Sequence, residues 1–473
     1  SPVRLIRINK EGFWLGTEKG AIKKDSSWHY YNGKRWLHDG FVNDVLPLKN
    51  GNVWIATPKG INEIKKISIT LRQKADIYEN IIAQRHNRRG LINISHLSVP
   101  GDLATSKTQT QDNDGLWTSC YLAAECFRYG ATGDPQAKAL AIRTFEALER
   151  LETVTGIPGY PARSYALASD EVVQSRSPHP KQWHYSPDKK WQWLDDTSSD
   201  EITGHLFALT VFHELVADEK QKLRISGLID RIVSHIVNND FQLIDFDGKP
   251  TRWGIWNPDS LNHSSNWMTE RGLNSLQILS FLKTAFHYTT NPAFEKAYQT
   301  LVEEHGYAQN ALLAKMYGAF QLSHSDDILN FFPYYGLLQF SSGDPYHSLY
   351  RKSLERTWEA VRSDEMPVWN VMTSALLKRD CDLDIALHQL QLYPIDLIDW
   401  TMENSHRQDL QKEPVLQRYK VPQSATPVPI PESSVSRWNT NPKILDSGKG
   451  GKTEETGTYF LFAYWMGKYY GFF

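Results

Sequence analysis

Amphipathic helical stretches recur in pairs along most of the chain, and this pairing constrains the fold more than any other feature. Apolar residues repeat at helical spacing over 115–130 and 135–154, then over 200–216 and 221–237. Three further pairs follow: 271–288 with 292–305, 327–340 with 346–361, and 368–378 with 383–392. The junctions within pairs are short and carry Gly, Asp or Pro, as in "ATGDP" at Ala131 and "TTNP" at Thr289. Those residues stop one helix and start the next. A helix with one apolar stripe has to bury it against a neighbour, and hairpins joined in series do so by closing into a ring. A further amphipathic stretch, "LRQKADIYENIIAQRH", precedes the pairs, and "TYFLFAYWMGKYYGFF" follows them. The expected class is mainly α: an (α/α) toroid of inner helices ringed by outer ones, with a small N-terminal β module.

That β module is read from an internal repeat. "GFWLGTEKGA" at Gly12 matches "NVWIATPKGI" at Asn52, with Trp14 on Trp54, Thr17 on Thr57, Lys19 on Lys59 and Gly20 on Gly60. The offset of 40 residues is about one propeller blade. The pattern resembles the repeat of bacterial two-component-regulator propellers. Fewer than two blades cannot close a propeller, so residues 1–66 are expected to form a small module packed on the next domain, or the stub of something longer. Residues 67–473 are assigned to the toroid. Within it, 411–455 is rich in Pro, Ser and Thr and reads as an extended crossing segment, and 456–473 as a final aromatic helix.

Bulk properties exclude several function classes. The net charge is −2, so no global field draws the chain to nucleic acid. No run of eighteen apolar residues is present, so no membrane-spanning helix is expected. Three cysteines form no disulfide framework and no metal-binding CxxC pair. "DNDG" at Asp112 and "DFDG" at Asp245 echo calcium loops but lack the full spacing and the distal Glu, so no metal is assigned. No phosphate-binding, dinucleotide or nucleophile-elbow motif occurs, and no cofactor is expected. The 16 Trp and 22 Tyr are numerous enough to furnish both a core and flat platforms for sugar rings.

The connections between pairs are long, and in a toroid they gather on the rim where inner helices begin. Polar residues of the same types recur there: Asp112, Asn113, Asp114 and Trp117; Trp191, Trp193, Asp195, Asp196, Asp200, Glu201 and His205; His263, Asn266, Trp267, Glu270, Arg271 and Asn274; His324, Asp326, Asp327, Tyr334 and Tyr335; Trp369 and Asn370. Many of the acids suit helix capping, and "TSSDE" at Thr197 is close to a capping box. Asp112 or Asp114 is expected to cap, leaving Asn113 to face the groove. Arg271 opens a helix, where a positive charge is disfavoured, so either a carboxylate such as Glu201 or Asp327 or an anionic substrate should offset it. Loop residues Tyr160, Arg163, Tyr165, Arg252, Trp253 and Trp256 set Arg beside aromatics, a pattern that suits an acidic sugar chain or cation–π packing within the loops.

With its hairpins, its "DNDGLWTS" and "NHSSNWMTERG" rim segments, His205 and its Tyr-bearing loops, the chain resembles the bacterial (α/α)-toroid polysaccharide lyases that cleave uronic-acid polymers, such as chondroitin and hyaluronan lyases. The resemblance implies β-elimination from an acidic, glycosaminoglycan-like polysaccharide, and a periplasmic or secreted bacterial setting. Asn113 and Arg271 would neutralise the uronate carboxylate, with His205 as base or neutraliser. A proton for the departing oxygen would come from Tyr165, Tyr334 or Tyr335. Trp117, Trp191 and Trp267 would be sugar platforms, with Arg163, Asp200, Arg252, Asn266, His324, Trp369 and Asn370 also lining the groove. Two other readings stay open. A glycoside hydrolase on the same toroid would use two carboxylates, drawn from Asp114, Asp196, Asp200, Asp326 and Asp327. A glycan-binding or sensor domain would use none.

Overall fold

The computed structural model describes residues 2–10, 12–173, 182–315, 324–413, 421–435 and 440–473. Among them, in chain order, are α1 (Leu71–Arg85), α2 (Asp114–Thr132), α3 (Pro135–Thr153), α4 (Ser199–Leu215), α5 (Glu219–Asn238), α6 (Pro258–His263) and α7 (Arg271–Thr289). Then come α8 (Pro292–Glu303), α9 (Tyr307–Asn310), α10 (Asp327–Phe340), α11 (His347–Val361), α12 (Pro367–Leu377), α13 (Leu383–Leu392) and α14 (Thr458–Tyr469). The inner ring is α2, α4, α7, α10, α12 and α14, with α14 returning to pack on α2. Outside it, α3 lies on α2, α5 on α4 and α7, α8 on α7, α11 on α10, α13 on α12 and α1 on α14. The fold is an (α/α) toroid. The five expected hairpins are joined by a sixth pair that links the two ends of the domain, α14 inside and α1 outside.

Inner and outer helices differ as their positions require. In α7 every residue from Gly272 to Ala285 is buried. In α5 burial follows one stripe, with Ile225, Leu228, Ile229, Ile232, Val233 and Ile236 inward. An outer helix needs a polar face and an inner one does not. Close approach within the ring depends on Gly204 of α4, where a Cβ would stand 3.0 Å from the Cα of Leu116 on α2. Aromatic stacking ties the other side together. Phe331 of α10 lies flat on Trp369 of α12, with centroids 4.5 Å apart at 7°. Phe207 of α4 stacks on Phe332 of α10 at 4.0 Å. Such pairs add about 1 kcal/mol each beyond the area they bury.

The connections on the rim carry their own sheets. Strand Trp191–Leu194 lies between Ser164–Leu167 and Trp183–Tyr185 in one antiparallel sheet. Gln242–Ile244 pairs with Pro250–Ile255 in another. These strands have three to six residues, too short for a period of two to stand out in sequence. Residues 174–181 and 316–323, inside two of the expected long connections, and 414–420 and 436–439, inside the expected crossing segment, lie outside the described residues. No described helix is long and apolar enough to cross a membrane.

The N-terminal module is two antiparallel sheets. The first contains β1 (Val3–Asn9), β2 (Gly12–Thr17), β3 (Gly20–Lys24) and β4 (Trp28–Tyr31) in order, and the second β5 (Asp44–Pro47), β6 (Val53–Thr57) and β7 (Gly60–Ile64). The sequence repeat is a repeat of one turn. Thr17 donates to the Gly20 carbonyl and accepts from the Lys19 amide, and Thr57 does the same with Gly60 and Lys59. The matched tryptophans differ in environment: Trp14 is buried in the module's core, and Trp54 is exposed. The module docks on the crossing segment and on the stretch just before it. The Trp36 indole donates to the Pro431 carbonyl at 3.0 Å, the Tyr30 amide to Glu432 at 2.9 Å, and the Arg407 guanidinium lies 3.7 Å above the Tyr30 ring.

Candidate active site

All six inner helices start at one rim, and three of these starts surround a cleft of about 280 Å³. Asp200 enters it from the first turn of α4, Glu270 from the N-cap of α7 and Asp326 from the N-cap of α10. Neither Glu270 nor Asp326 turns its side chain back to cap its own helix. Each accepts instead from a neighbouring hydroxyl, Thr269 and Ser325 respectively. Two indoles form an aromatic corner. Trp253, on the Pro250–Ile255 strand, is 51% exposed and meets Trp267 at 6.3 Å and 77°. Arg271 and Asn274 hold this wall in place. Arg271 donates to the carbonyls of Leu261 and Asn262, and Asn274 to that of Ile255 at 2.8 Å. No arginine or lysine is among the described lining residues.

Behind Asp200 stands a second, buried layer. Ser198 caps α4 in a capping box with Glu201. Its hydroxyl lies 2.7 Å from Asp200 Oδ2 and 2.8 Å from Glu201 Oε2. Glu201 has no exposed surface, and its Oε1 has no hydrogen-bond partner among the described residues. Burial pushes the Glu201 carboxyl up to about 7, against the pull of Arg163 at 3.7 Å. Arg163, itself 3% exposed, spans the layer by donating to Asn113 Oδ1 at 2.7 Å, to the Asp112 carbonyl at 3.1 Å and to the Asp196 carbonyl. Asp196 has φ of +53°, a conformation Asp tolerates, and is clamped by Arg252 through two nitrogens at 2.6 and 2.8 Å.

The residues expected to carry β-elimination are not brought together around this cleft. His205 is completely buried. Its Nδ1 lies 2.7 Å from the Glu201 carbonyl and its Nε2 3.3 Å from that of Leu148, and burial lowers its pKa. The Tyr165 hydroxyl donates to the Arg89 carbonyl, Tyr334 sits between Ser353 and Thr357, and Tyr335 donates to Glu214. Burial pushes the Tyr165 and Tyr334 phenols up to about 12. Asn113 is the N-cap residue of α2, but its side-chain oxygen is taken by Arg163. Asp114 is no simple cap either. It is 1% exposed and collects Arg88, Asn93 and Ser164, a knot that ties the start of α2 to the rim sheet. Arg271 is offset by main-chain carbonyls rather than by Glu201 or Asp327.

Of the expected groove residues, Asp200 and Trp267 line the cleft. Asn266 is exposed on the turn beside Trp267, and Trp117 is half-buried in the first turn of α2. Trp191 packs edge-on to Tyr165 under Arg150, which lies 4.6 Å from its ring. His324 lies against Asp327 at 3.2 Å, beside the Lys315–Asp327 ion pair. Trp369 is a core residue, and Asn370 accepts from the Trp358 indole at 3.0 Å. Glu270, Asp326 and Trp253 complete the cleft. In sequence Glu270 and Asp326 read as ordinary helix-start acids. What sets them apart is the cleft onto which folding brings them, and that leaves no mark in the sequence.

No family model and no curated protein matches the chain. Among solved structures it is similar to a sugar epimerase from a ruminal bacterium, with 10% identity over 84% of this chain and 97% of that one and a TM-score of 0.42. It is also similar to the cellobiose 2-epimerase from Spirochaeta thermophila DSM 6192, with 13% identity over 84% and 97% and a TM-score of 0.40.

Proposed function

We propose that the chain is a carbohydrate-active enzyme of the glycoside hydrolase type, acting on an uncharged glycan in the rim cleft. The observation that carries this reading is the convergence of Asp200, Glu270 and Asp326 on one cleft walled by Trp253 and Trp267. Glycosidic hydrolysis needs one carboxyl to protonate the leaving oxygen and a second on the other side of the sugar. Asp200 serves as the acid, because a hydroxyl and a buried carboxyl stand directly behind it. Asp326 or Glu270 serves as the opposing carboxylate. The indole corner supplies apolar faces for the C–H faces of a pyranose ring.

Two features favour hydrolysis over β-elimination. Elimination requires groups that neutralise a uronate, and this lining offers carboxylates and no described arginine or lysine. It also requires a base at the substrate, whereas His205 is sealed in the core. The test is incubation with neutral oligosaccharides and with uronic-acid polymers, following both new reducing ends and ultraviolet absorbance. New reducing ends from a neutral glycan, lost by a factor of at least about 10³ in Asp200→Asn and in one of Asp326→Asn and Glu270→Gln, are expected. A rise in absorbance with a uronic-acid polymer would establish elimination and overturn the reading.

A further inference from the structure

Ser198 Oγ has one hydrogen and two carboxyl neighbours. Asp200 Oδ2 lies 2.7 Å away on the cleft side and Glu201 Oε2 lies 2.8 Å away on the core side. If both carboxyls are ionised, one of these contacts is an oxygen–oxygen approach with no proton in it. A single proton on the pair removes the conflict. With the proton on Glu201, Glu201 donates to Ser198 and Ser198 donates to Asp200. With the proton on Asp200, both bonds reverse. We propose that Glu201 and Ser198 form a buried proton relay that sets the protonation state of Asp200 from behind. The inference rests on the hydrolytic reading and deepens it, making Ser198 and Glu201 positioning residues and leaving the contact with substrate to Asp200. No bond to carbon is involved. The single shared proton passes from Glu201 through the Ser198 hydroxyl to Asp200 and from Asp200 to the glycosidic oxygen, and the proton released by the attacking water restores the pair.

The surroundings of Glu201 suit a proton held in reserve. It has no exposed surface, and its second oxygen has no hydrogen-bond partner among the described residues. A charged carboxylate in that place would be costly, a neutral acid much less so. From α2, Gly115 packs so closely that a Cβ there would meet Glu201 Cγ at 3.3 Å and His205 Cε1 at 3.1 Å. The nearby acid on α2, Asp114, is engaged by Arg88, Asn93 and Ser164. From the segment before α4 comes Arg163, 3.7 Å from Glu201 and drawn also by Asp196 and Asp112. On α4 itself the charged neighbour is Asp200, and His205 is held against the Glu201 main-chain carbonyl. Arg163 and Asp200 pull in opposite directions, and burial decides the outcome.

The experiment reads the proton without needing a substrate. Infrared difference spectra of the whole protein between pH 5 and 9 isolate the protonated-carboxyl band that Glu201→Gln abolishes. This subtraction separates Glu201 from the other buried acids. A band titrating near neutrality in the wild type is expected, with its midpoint displaced by about one pH unit or more in Asp200→Asn and in Ser198→Ala, the hallmark of coupled sites. Ser198→Thr, which keeps the hydroxyl, should restore the wild-type midpoint. A band that Glu201→Gln leaves intact, or a midpoint indifferent to both Asp200→Asn and Ser198→Ala, overturns the relay. These outcomes are independent of whether glycans are cut. Failure of the hydrolytic reading shows as absent reducing ends, and failure of the relay as an uncoupled or missing band.

Discussion

The guanidinium of Arg163 donates to Oδ1 of Asn113 at 2.7 Å, joining the start of α2 to the segment that leads into α4. One buried cation thereby organises two helix starts on the rim.

Its removal should be severe. Arg163→Met leaves the carbonyls of Asp112 and Asp196 and Oδ1 of Asn113 without this donor, and takes the cation away from beside Glu201. A loss of about 3–5 kcal/mol is expected, the usual result of breaking a buried charged contact from one side. Urea unfolding at neutral pH measures it. A loss below about 1 kcal/mol would show that Arg163 is dispensable to the rim.

The aromatic corner should govern binding rather than folding. Trp253 is largely exposed, so Trp253→Ala should leave the melting temperature within a few degrees of wild type. Oligosaccharide affinity should fall roughly ten-fold or more, since truncating an aromatic anchor typically costs over 1 kcal/mol. Calorimetric titration with a neutral oligosaccharide supplies the number. An unchanged affinity in both Trp253→Ala and Trp267→Ala would place the substrate elsewhere.

Glu201 makes stability depend on pH with a definite sign. Its folded pKa, about 7, stands above the unfolded value of 4.5. The stability due to the neutral buried acid is therefore fully present below pH 4.5 and is lost as pH rises through 7. The size of the shift corresponds to roughly 3 kcal/mol over that window. Glu201→Gln should flatten this part of the profile. Parallel unfolding curves for wild type and variant at pH 5 and pH 8 would contradict it.

Two glycines in inner helices should respond unequally to alanine, although helix propensity favours alanine by about 1 kcal/mol at both. At Gly272 a Cβ would lie 2.3 Å from the Leu313 carbonyl oxygen, which is main chain and cannot swing aside. At Gly204 the nearest atoms are the Leu116 Cα at 3.0 Å and two side-chain atoms at 3.1 Å. Gly272→Ala should cost more than about 3 kcal/mol and Gly204→Ala about 1–3 kcal/mol, within the usual range for overpacking. Equal melting temperatures for the two variants would mean that α7 can shift away from Leu313.

Much of the fold was legible because helical hairpins write themselves in period and punctuation. "ATGDP" reads as a stop and a start, and the structure ends α2 with Gly133 at φ of +67° and begins α3 with Asp134 as its cap. The rim was less legible. Asp114, Asp200, Glu270 and Asp326 are the same kind of residue at the same kind of place, and one becomes a buried knot while three reach the cleft. What separates them is the partner that folding brings: Arg88 and Ser164 to Asp114, and the Ser198 hydroxyl to Asp200. His205 misled for the same reason. A histidine beside an acidic loop in sequence can point into the core in space, and this one does. The sixth hairpin went unread because α1 and α14 are separated by nearly the whole domain.

That sixth hairpin bears on how the chain is made. On a ribosome, α2 emerges long before the helix that covers it. Phe127 on α2 packs against Phe462, Tyr469 and Tyr470, so this flank stays wet until the last turn of α14 has been synthesised. Until then the ring of the growing polypeptide is open at this seam, and its aromatic flank has no cover from α14.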